Sequence, residues 1–369
     1  MLTITFYLFI LVVAVQMFYY VVIFGKFAFA KAQKSNPKRI PVSVIVCAKN
    51  EAENVAKFVP LLAEQDYPDF ELVLIDDASS DDTLELFEGF EKQYPNVKLV
   101  KVENNEAFWG NKKFALTLGI KAAKNEYLLF TDADCHPTSN QWIKEISSQF
   151  TMQKTIVLGY GAYEKIAGSF LNKIIRFETM ITAVQYFSWA KSGHPYMGVG
   201  RNLAYKREEF FNVNGFIDHM KIRSGDDDLF VNQAANAKNT TVAYSPDSFT
   251  YSEPKATFKE WFTQKRRHVS TASYYKPFDS AQLLAFYVSQ LLFLILPIVL
   301  LAFQFKWWIA VLGIIGFRYL FAWLVLGFSA GKLKEKDVMY WFPIIEMALI
   351  FTQLNIFFSN IVSKPVHWR

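Results

Sequence analysis

Charge is scarce in this sequence and unevenly placed. Only 20% of the 369 residues are Asp, Glu, Lys or Arg, against 52% apolar and 17% aromatic, a balance too apolar for an ordinary water-soluble domain of this length. Residues 1–25 and 281–305 carry no charge at all, 307–328 carries only Arg318, and 338–362 only Glu346 beside Pro343, Gln353 and Asn355. Helices of such lengths cover a hydrocarbon core of about 30 Å. The first three runs are read as membrane spans, and the fourth as a span or as a re-entrant or interfacial segment, because a full crossing puts Lys364 and Arg369 outside. Cysteine is equally scarce. Cys47 and Cys135 are the only two, and both fall in the polar middle of the chain, which excludes a disulfide-stapled secreted scaffold and predicts reduced thiols. Internal repeats and low-complexity tracts are also lacking, which excludes a repeat architecture.

The first apolar run lacks a basic residue ahead of it and a small-x-small cleavage site behind it, so it reads as an uncleaved anchor and not as a signal peptide. Lys26, Lys31, Lys34, Lys38 and Arg39 follow it, and the positive-inside rule puts that side in the cytosol. Lys332, Lys334 and Lys336 reach the same side if the second and third runs both cross. The expected arrangement is multi-pass in a cytoplasmic (inner) membrane: an anchor at 1–25, a cytosolic catalytic domain with interfacial helices at 26–280, and a membrane region of two to three spans at 281–369. The net charge of +5 is spread along the chain, much of it at these borders, so no nucleic-acid partner is implied.

The first half of the middle segment alternates. Short β-branched runs at 42–46, 71–75, 97–102 and 127–130 are separated by stretches of helical periodicity such as Leu84, Phe87 and Glu91, which follow the N-cap candidates Ser79, Ser80 and Asp81. This is the pattern of a doubly wound α/β sheet. Residues 166–189 and 258–275 mix aromatic, aliphatic and basic side chains at helical spacing, as helices on a bilayer surface do and as helices packed inside the domain also do.

Ligands of such sheets bind at the carboxyl ends of the parallel strands. Lys49, Asn50 and Glu51 follow the first run, Asp76 and Asp77 the second, and Asp132-Ala133-Asp134 the fourth. Two carboxylates one residue apart on an extended segment offer hard oxygen ligands for Mn²⁺ or Mg²⁺ with positions left for phosphate. Asp76-Asp77 suits a nucleoside contact or a turn. Lys112 and Lys113, after Gly110, begin a helical segment and either reach a diphosphate or form a solvated face. The run Asp226-Asp227-Asp228, preceded by the small residues Gly198 and Gly200, places like charges together and so raises at least one pKa toward general-base use; a solvated turn and a second metal site are the other readings. Gln264-Lys265-Arg266-Arg267-His268 precedes the second span, where fixed cations stabilise a departing diphosphate or simply mark a polybasic border.

In this order the motifs resemble the membrane-integrated family 2 glycosyltransferases, which include cellulose, hyaluronan and chitin synthases and ceramide glucosyltransferases. The resemblance spans roughly residues 42–268 with the flanking spans. It implies a GT-A (Rossmann-like) α/β domain and an inverting transfer of a sugar from a nucleotide diphosphate, usually of uridine; the few spans and the interfacial segments point to a membrane lipid or lipid-linked acceptor. It also implies roles: Lys49, Asn50, Glu51, Asp76, Asp77, Lys112 and Asp132 toward the nucleotide sugar, Asp134 with Asp132 on the divalent metal, and Asp227 or Asp226 as base. Gln264 and Arg267 then face the diphosphate, and Gly200, Asn202 and His268 the acceptor. His268 stands where the family has Trp. A processive polysaccharide synthase and a silent nucleotide-sugar-binding membrane protein are the alternatives, and no protein partner is indicated.

Overall fold

The computed structural model describes residues 1–33, 36, 38–103, 112–222, 224–303 and 305–363. Of the positions singled out above, Lys34, Gly110, Lys364 and Arg369 lie outside the described residues. The chain divides into two units, one holding residues 32–165 and 193–255, the other Met1–Lys31, Ile166–Ser192 and the residues from Ala256 on.

The first unit is built on a seven-stranded sheet. Its strands are β1 (Val42–Ala48), β2 (Phe70–Asp76), β3 (Val97–Lys101), β4 (Tyr127–Asp132), β6 (Ile156–Leu158), β8 (Leu203–Lys206) and β9 (Thr240–Val242), in the order β3-β2-β1-β4-β8-β6-β9. A three-stranded sheet of β5 (Cys135–Pro137), β10 (Thr250–Ser252) and β7 (Gly161–Tyr163) lies beside it in sequence. β1 to β4 are mutually parallel where they pair, while β8 runs antiparallel to both β4 and β6. The uninterrupted apolar stretches of β1 and β2 follow from this: Val44, Ile45 and Val46, and Leu72, Val73, Leu74 and Ile75, are all fully buried, as strands covered on both faces must be.

Three helices complete the wound half. Ala52–Ala63 buries Val55, Val59, Leu62 and Ala63, a single stripe at helical spacing. In Thr83–Gln93 only Thr83 and Phe87 are buried. The N-cap is Asp82, without a side-chain bond; Ser79, Ser80 and Asp81 are drawn to the loop after β1. Lys112–Ala122 packs Gly119 so closely on β2 that a Cβ there would stand 2.1 Å from Ile75 Cδ1.

The other unit contains, among the described residues, four helices long and apolar enough to cross a membrane: Leu2–Ala28, Pro277–Ala302, Trp308–Lys332 and Lys336–Val362. Phe6, Phe9, Val12, Phe293, Leu300 and Val311 form one of its buried apolar clusters. Fully buried Arg318 donates to Gln16 Oε1 (2.5 Å), Tyr20 Oη (2.9 Å) and both oxygens of Glu346, one at 2.8 Å. The amphipathic segments of the sequence become Phe170–Lys191, capped by Ser169, and Phe258–Thr271, which starts with a Thr257/Glu260 capping box; both belong to this unit. Arg176 of the first pairs with Glu335 and Asp337, and Arg266 of the second donates to Asn360 Oδ1 at 2.9 Å.

Candidate active site

The strand order reverses direction between β1 and β4, and the registers Ala48↔Asp76 and Cys47↔Asp132 bring the carboxyl ends of β2, β1 and β4 side by side. A crevice at such a switch point is where doubly wound sheets take ligands. The loops that leave these ends are braced against each other. Asn50, at a left-handed φ of 56°, accepts through Oδ1 from Ser80 N–H (2.8 Å), and its own N–H donates to Ser79 Oγ (3.1 Å). Glu51 N–H donates to Thr83 Oγ1 (2.9 Å) and Ala52 N–H to Asp81 Oδ2 (3.2 Å). Asp81 does both jobs, its Oδ1 accepting the N–H of Thr83 at the helix start (3.1 Å) while its Oδ2 holds the neighbouring loop; the Ser79 and Ser80 hydroxyls bond to Asn50 of that loop. Ala78 is also left-handed, at φ 53°, a conformation costly for a residue with a β-carbon.

Asp76 and Asp77 are both buried, and Lys49 Nζ lies 4.0 Å from Asp77 Oδ2. Burial lifts the Asp77 carboxyl above its ordinary range, with Lys49 opposing and Asp76 adding to the rise. The Glu51 carboxyl is also lifted by burial; its bond from Asn54 opposes, and Asp134 and Asp132 push further up.

Past β4, ligand atoms of Asp132, Asp134 and Cys135 lie within 4.8 Å of one another. Asp134 is raised by burial and by Asp132, while Arg201 and a contact from Cys135 Sγ (3.4 Å) pull it down. The two carboxylates fit a hard divalent cation, which Asp132 and Asp134 would hold with positions left for phosphate oxygens. Lys112 stands over the same cluster, its Nζ 2.6 Å from Asp132 Oδ1 and 3.4 Å from Asp226 Oδ2. Burial alone would depress this ammonium, but Asp132 and Asp226 hold it well above its ordinary pKa.

Asp226 and Asp227 share a narrow cavity with Cys47, Lys112, Asp132 and Gly200. Asp227 caps the helix Asp228–Ala234, taking the N–H of Asp228 on Oδ1 (2.7 Å) and the N–H of Gly200 on Oδ2 (2.6 Å). Burial first, then the charges of Asp226 and Asp228, push its carboxyl up to about 8. A Cβ at Gly200 would lie 3.3 Å from Asp227 Oδ2, which explains the small residue there.

Asn202 has a different place. It is fully buried, its Nδ2 donating to Tyr160 O (3.0 Å) and Ser248 O (2.7 Å) and its Oδ1 accepting from Trp142 Nε1 (3.2 Å). Its amide thus ties strand connections together inside the unit. Gln264, Arg267 and His268 lie on Phe258–Thr271 of the other unit, where Gln264 Oε1 is buried with no hydrogen-bond partner.

One cation escaped assignment in the sequence. Arg201 sits between the glycines and Asn202; its Nη1 donates to Ser252 Oγ (2.8 Å) and its guanidinium lies 4.3 Å from the Tyr163 ring centre, with its charge felt at Asp134. A cation inside a glycine motif was the available signal. Lys113, read with Lys112 as reaching a diphosphate or forming a solvated face, forms no such face: it is completely buried, with its ammonium on backbone carbonyls.

Residues 43–228, half of the chain, match the family model "Glycosyl transferase family 2". Among curated proteins, the chain is 31% identical over 105 residues to the glycosyltransferase AglE of Haloferax volcanii, covering 28% of this chain and 33% of that one. It is 36% identical over 93 residues to a poly-beta-1,6-N-acetyl-D-glucosamine synthase of Staphylococcus epidermidis, 25% of this chain and 21% of that one. The match thus spans a third or less of each relative. In structure the chain resembles the mannosyltransferase PcManGT from Pyrobaculum calidifontis, solved with GDP-Man and Mn²⁺, at TM-score 0.55 and 18% identity over 92% of this chain and 99% of that one. That likeness carries the GT-A fold. With the family match added, the chain belongs to glycosyl transferase family 2, as a GT-A glycosyltransferase domain accompanied by long apolar helices.

Proposed function

We propose that the protein transfers a single sugar, with inversion, from a nucleotide diphosphate, UDP in the first instance, to the hydroxyl of a membrane lipid or lipid-linked acceptor. The observation that carries this reading is the convergence of Asp77, Asp132, Asp134, Lys112 and Asp227 on the carboxyl edge of one sheet, with one ammonium shared by acids of two different motifs. The nucleoside rests between Lys49, Asn50, Glu51, Asp76 and Asp77, whose braced loops keep the pocket open before donor arrives. A divalent ion, Mn²⁺ or Mg²⁺, held by Asp134 and Asp132 supplies charge stabilisation to the diphosphate as it leaves. Lys112 contributes a fixed positive charge on the same side and leaves its contact with Asp132 when the diphosphate binds. Asp227 takes the proton of the acceptor hydroxyl; each of its oxygens accepts one backbone N–H and keeps a lone pair for that purpose. Asp226 is the second choice for this role. Gly200 borders the acceptor, where Asn202 holds the backbone.

The lipid acceptor is favoured by the four long apolar helices and the amphipathic helices Phe170–Lys191 and Phe258–Thr271 in one unit. They are expected to lie in and along a cytoplasmic membrane, with the sheet unit on the cytosolic side. The similarity to a poly-N-acetylglucosamine synthase supports a second reading, processive synthesis. Mass analysis of products made by the full chain in lipid nanodiscs, with a panel of nucleotide sugars and a native lipid extract, separates the two. One added hexose on a lipid is the expected result, and a polymer ladder overturns it.

A further inference from the structure

Lys113 is a lysine with no access to solvent. Its ammonium has three N–H donors, and three carbonyls receive them: His219 O at 2.8 Å, Ile222 O at 2.9 Å and Ser224 O at 2.8 Å. All three belong to the stretch that leads through Gly225, at φ 90°, into Asp226, Asp227 and Asp228. Regular secondary structure does little to fix this stretch: after the short turn Ile217–His219, none is assigned until Asp228. Burying an ammonium is costly, and an apolar side chain of similar length would pack there without that cost. The expense is intelligible where the carbonyls must be held in one arrangement.

We propose that Lys113 is a positioning residue for the transfer reaction, its ammonium clamping the carbonyls of His219, Ile222 and Ser224 so that the acids at 226–228 meet Lys112 and the acceptor in register. The clamp and the Lys112 contact start from one helix, Lys112–Ala122, so the diphosphate side and the base side of the site are set by adjacent residues. His219 reinforces the loop's dependence on this clamp, since its buried Nε2 has no partner of its own. The inference rests on the transferase reading for its kinetic consequence, but not for its structural one.

The test compares wild type, Lys113→Met and Lys113→Arg, each as full chain in nanodiscs. Lys113→Met is expected to lower kcat about 100-fold, the cost of roughly 1 Å of misplacement, while calorimetric affinity for UDP with Mn²⁺ is unchanged. The rising limb of kcat/KM with pH moves, because the surroundings of the acids change, and Lys113→Arg restores part of kcat. Trypsin should cut faster after Lys221 in Lys113→Met than in wild type. Wild-type kcat in Lys113→Met overturns the proposal, as does a parallel loss of UDP affinity and kcat with an unmoved pH limb. If Lys113→Met fails to fold, Lys113→Arg decides on the same pH and affinity readouts. If wild type transfers no sugar from any donor, the transferase reading fails separately, and faster cutting after Lys221 still upholds the clamp while unchanged cutting rejects it.

Discussion

A base with a pKa of about 8 has a measurable consequence. Free Asp227 is about one-tenth ionised at pH 7 and about one-hundredth at pH 6. If it must accept the acceptor's proton, kcat/KM, which reports the free enzyme, climbs roughly tenfold per pH unit below that value. Burial causes most of the shift, and the charge of Asp226 is the next cause. Asp226→Asn removes that charge while leaving burial intact, so the limb moves to lower pH by part of the shift. Asp227→Asn abolishes the limb together with the activity. The assay is initial-rate release of nucleoside diphosphate from pH 5.5 to 9 at fixed ionic strength, with lipid acceptor present. A flat kcat/KM from pH 6 to 8, or a limb that Asp226→Asn leaves in place, refutes the assignment of Asp227.

The same carboxyl makes a stability prediction. Its folded pKa is raised, so its contribution is fully present near pH 4 and is lost as pH rises through about 8; because Asn cannot accept both the Gly200 and the Asp228 N–H, the test is the trend, and the melting temperature of Asp227→Asn relative to wild type should rise from pH 5 to pH 8.5. Gly119→Ala forces a methyl onto Ile75, next to Asp76, and should cost about 1 to 3 kcal/mol by overpacking, read as a lowered melting temperature. Arg318→Leu strands Glu346 and should cost about 3 to 5 kcal/mol, read as lost thermal stability in detergent, whereas Arg318→Leu with Glu346→Leu should recover most of it; a double variant no better than the single refutes the pairing argument.

Much of the wound half was legible because its strands are buried on both faces and so appear as short, largely apolar runs: 42–46 becomes Val42–Ala48 and 127–130 becomes Tyr127–Asp132. The strand-end motifs followed from the same pattern. The later strands were not legible, since β5, β6, β7, β9 and β10 have three residues each, too few to show alternation, and β5 is the tripeptide Cys135-His136-Pro137. Local sequence also misled where tertiary partners competed for a side chain. Ser79 and Ser80 look like caps but bond to a loop some thirty residues away, and only Asp81 also reaches the helix start; Asn202 looks like a ligand-facing residue but is consumed by Tyr160, Ser248 and Trp142. Lys113 was hidden for the opposite reason: nothing local to a lysine predicts three carbonyls about a hundred residues away.

The central claim is a metal-assisted transfer at Asp132 and Asp134. Its most direct test is release of nucleoside diphosphate by the lipid-reconstituted full chain across a panel of nucleotide sugars, with native lipid extract, with Mn²⁺ or with chelator, beside Asp134→Ala of unchanged melting behaviour. The account predicts release from one donor that needs the metal and disappears in the variant. Release that persists in Asp134→Ala or in chelator contradicts it.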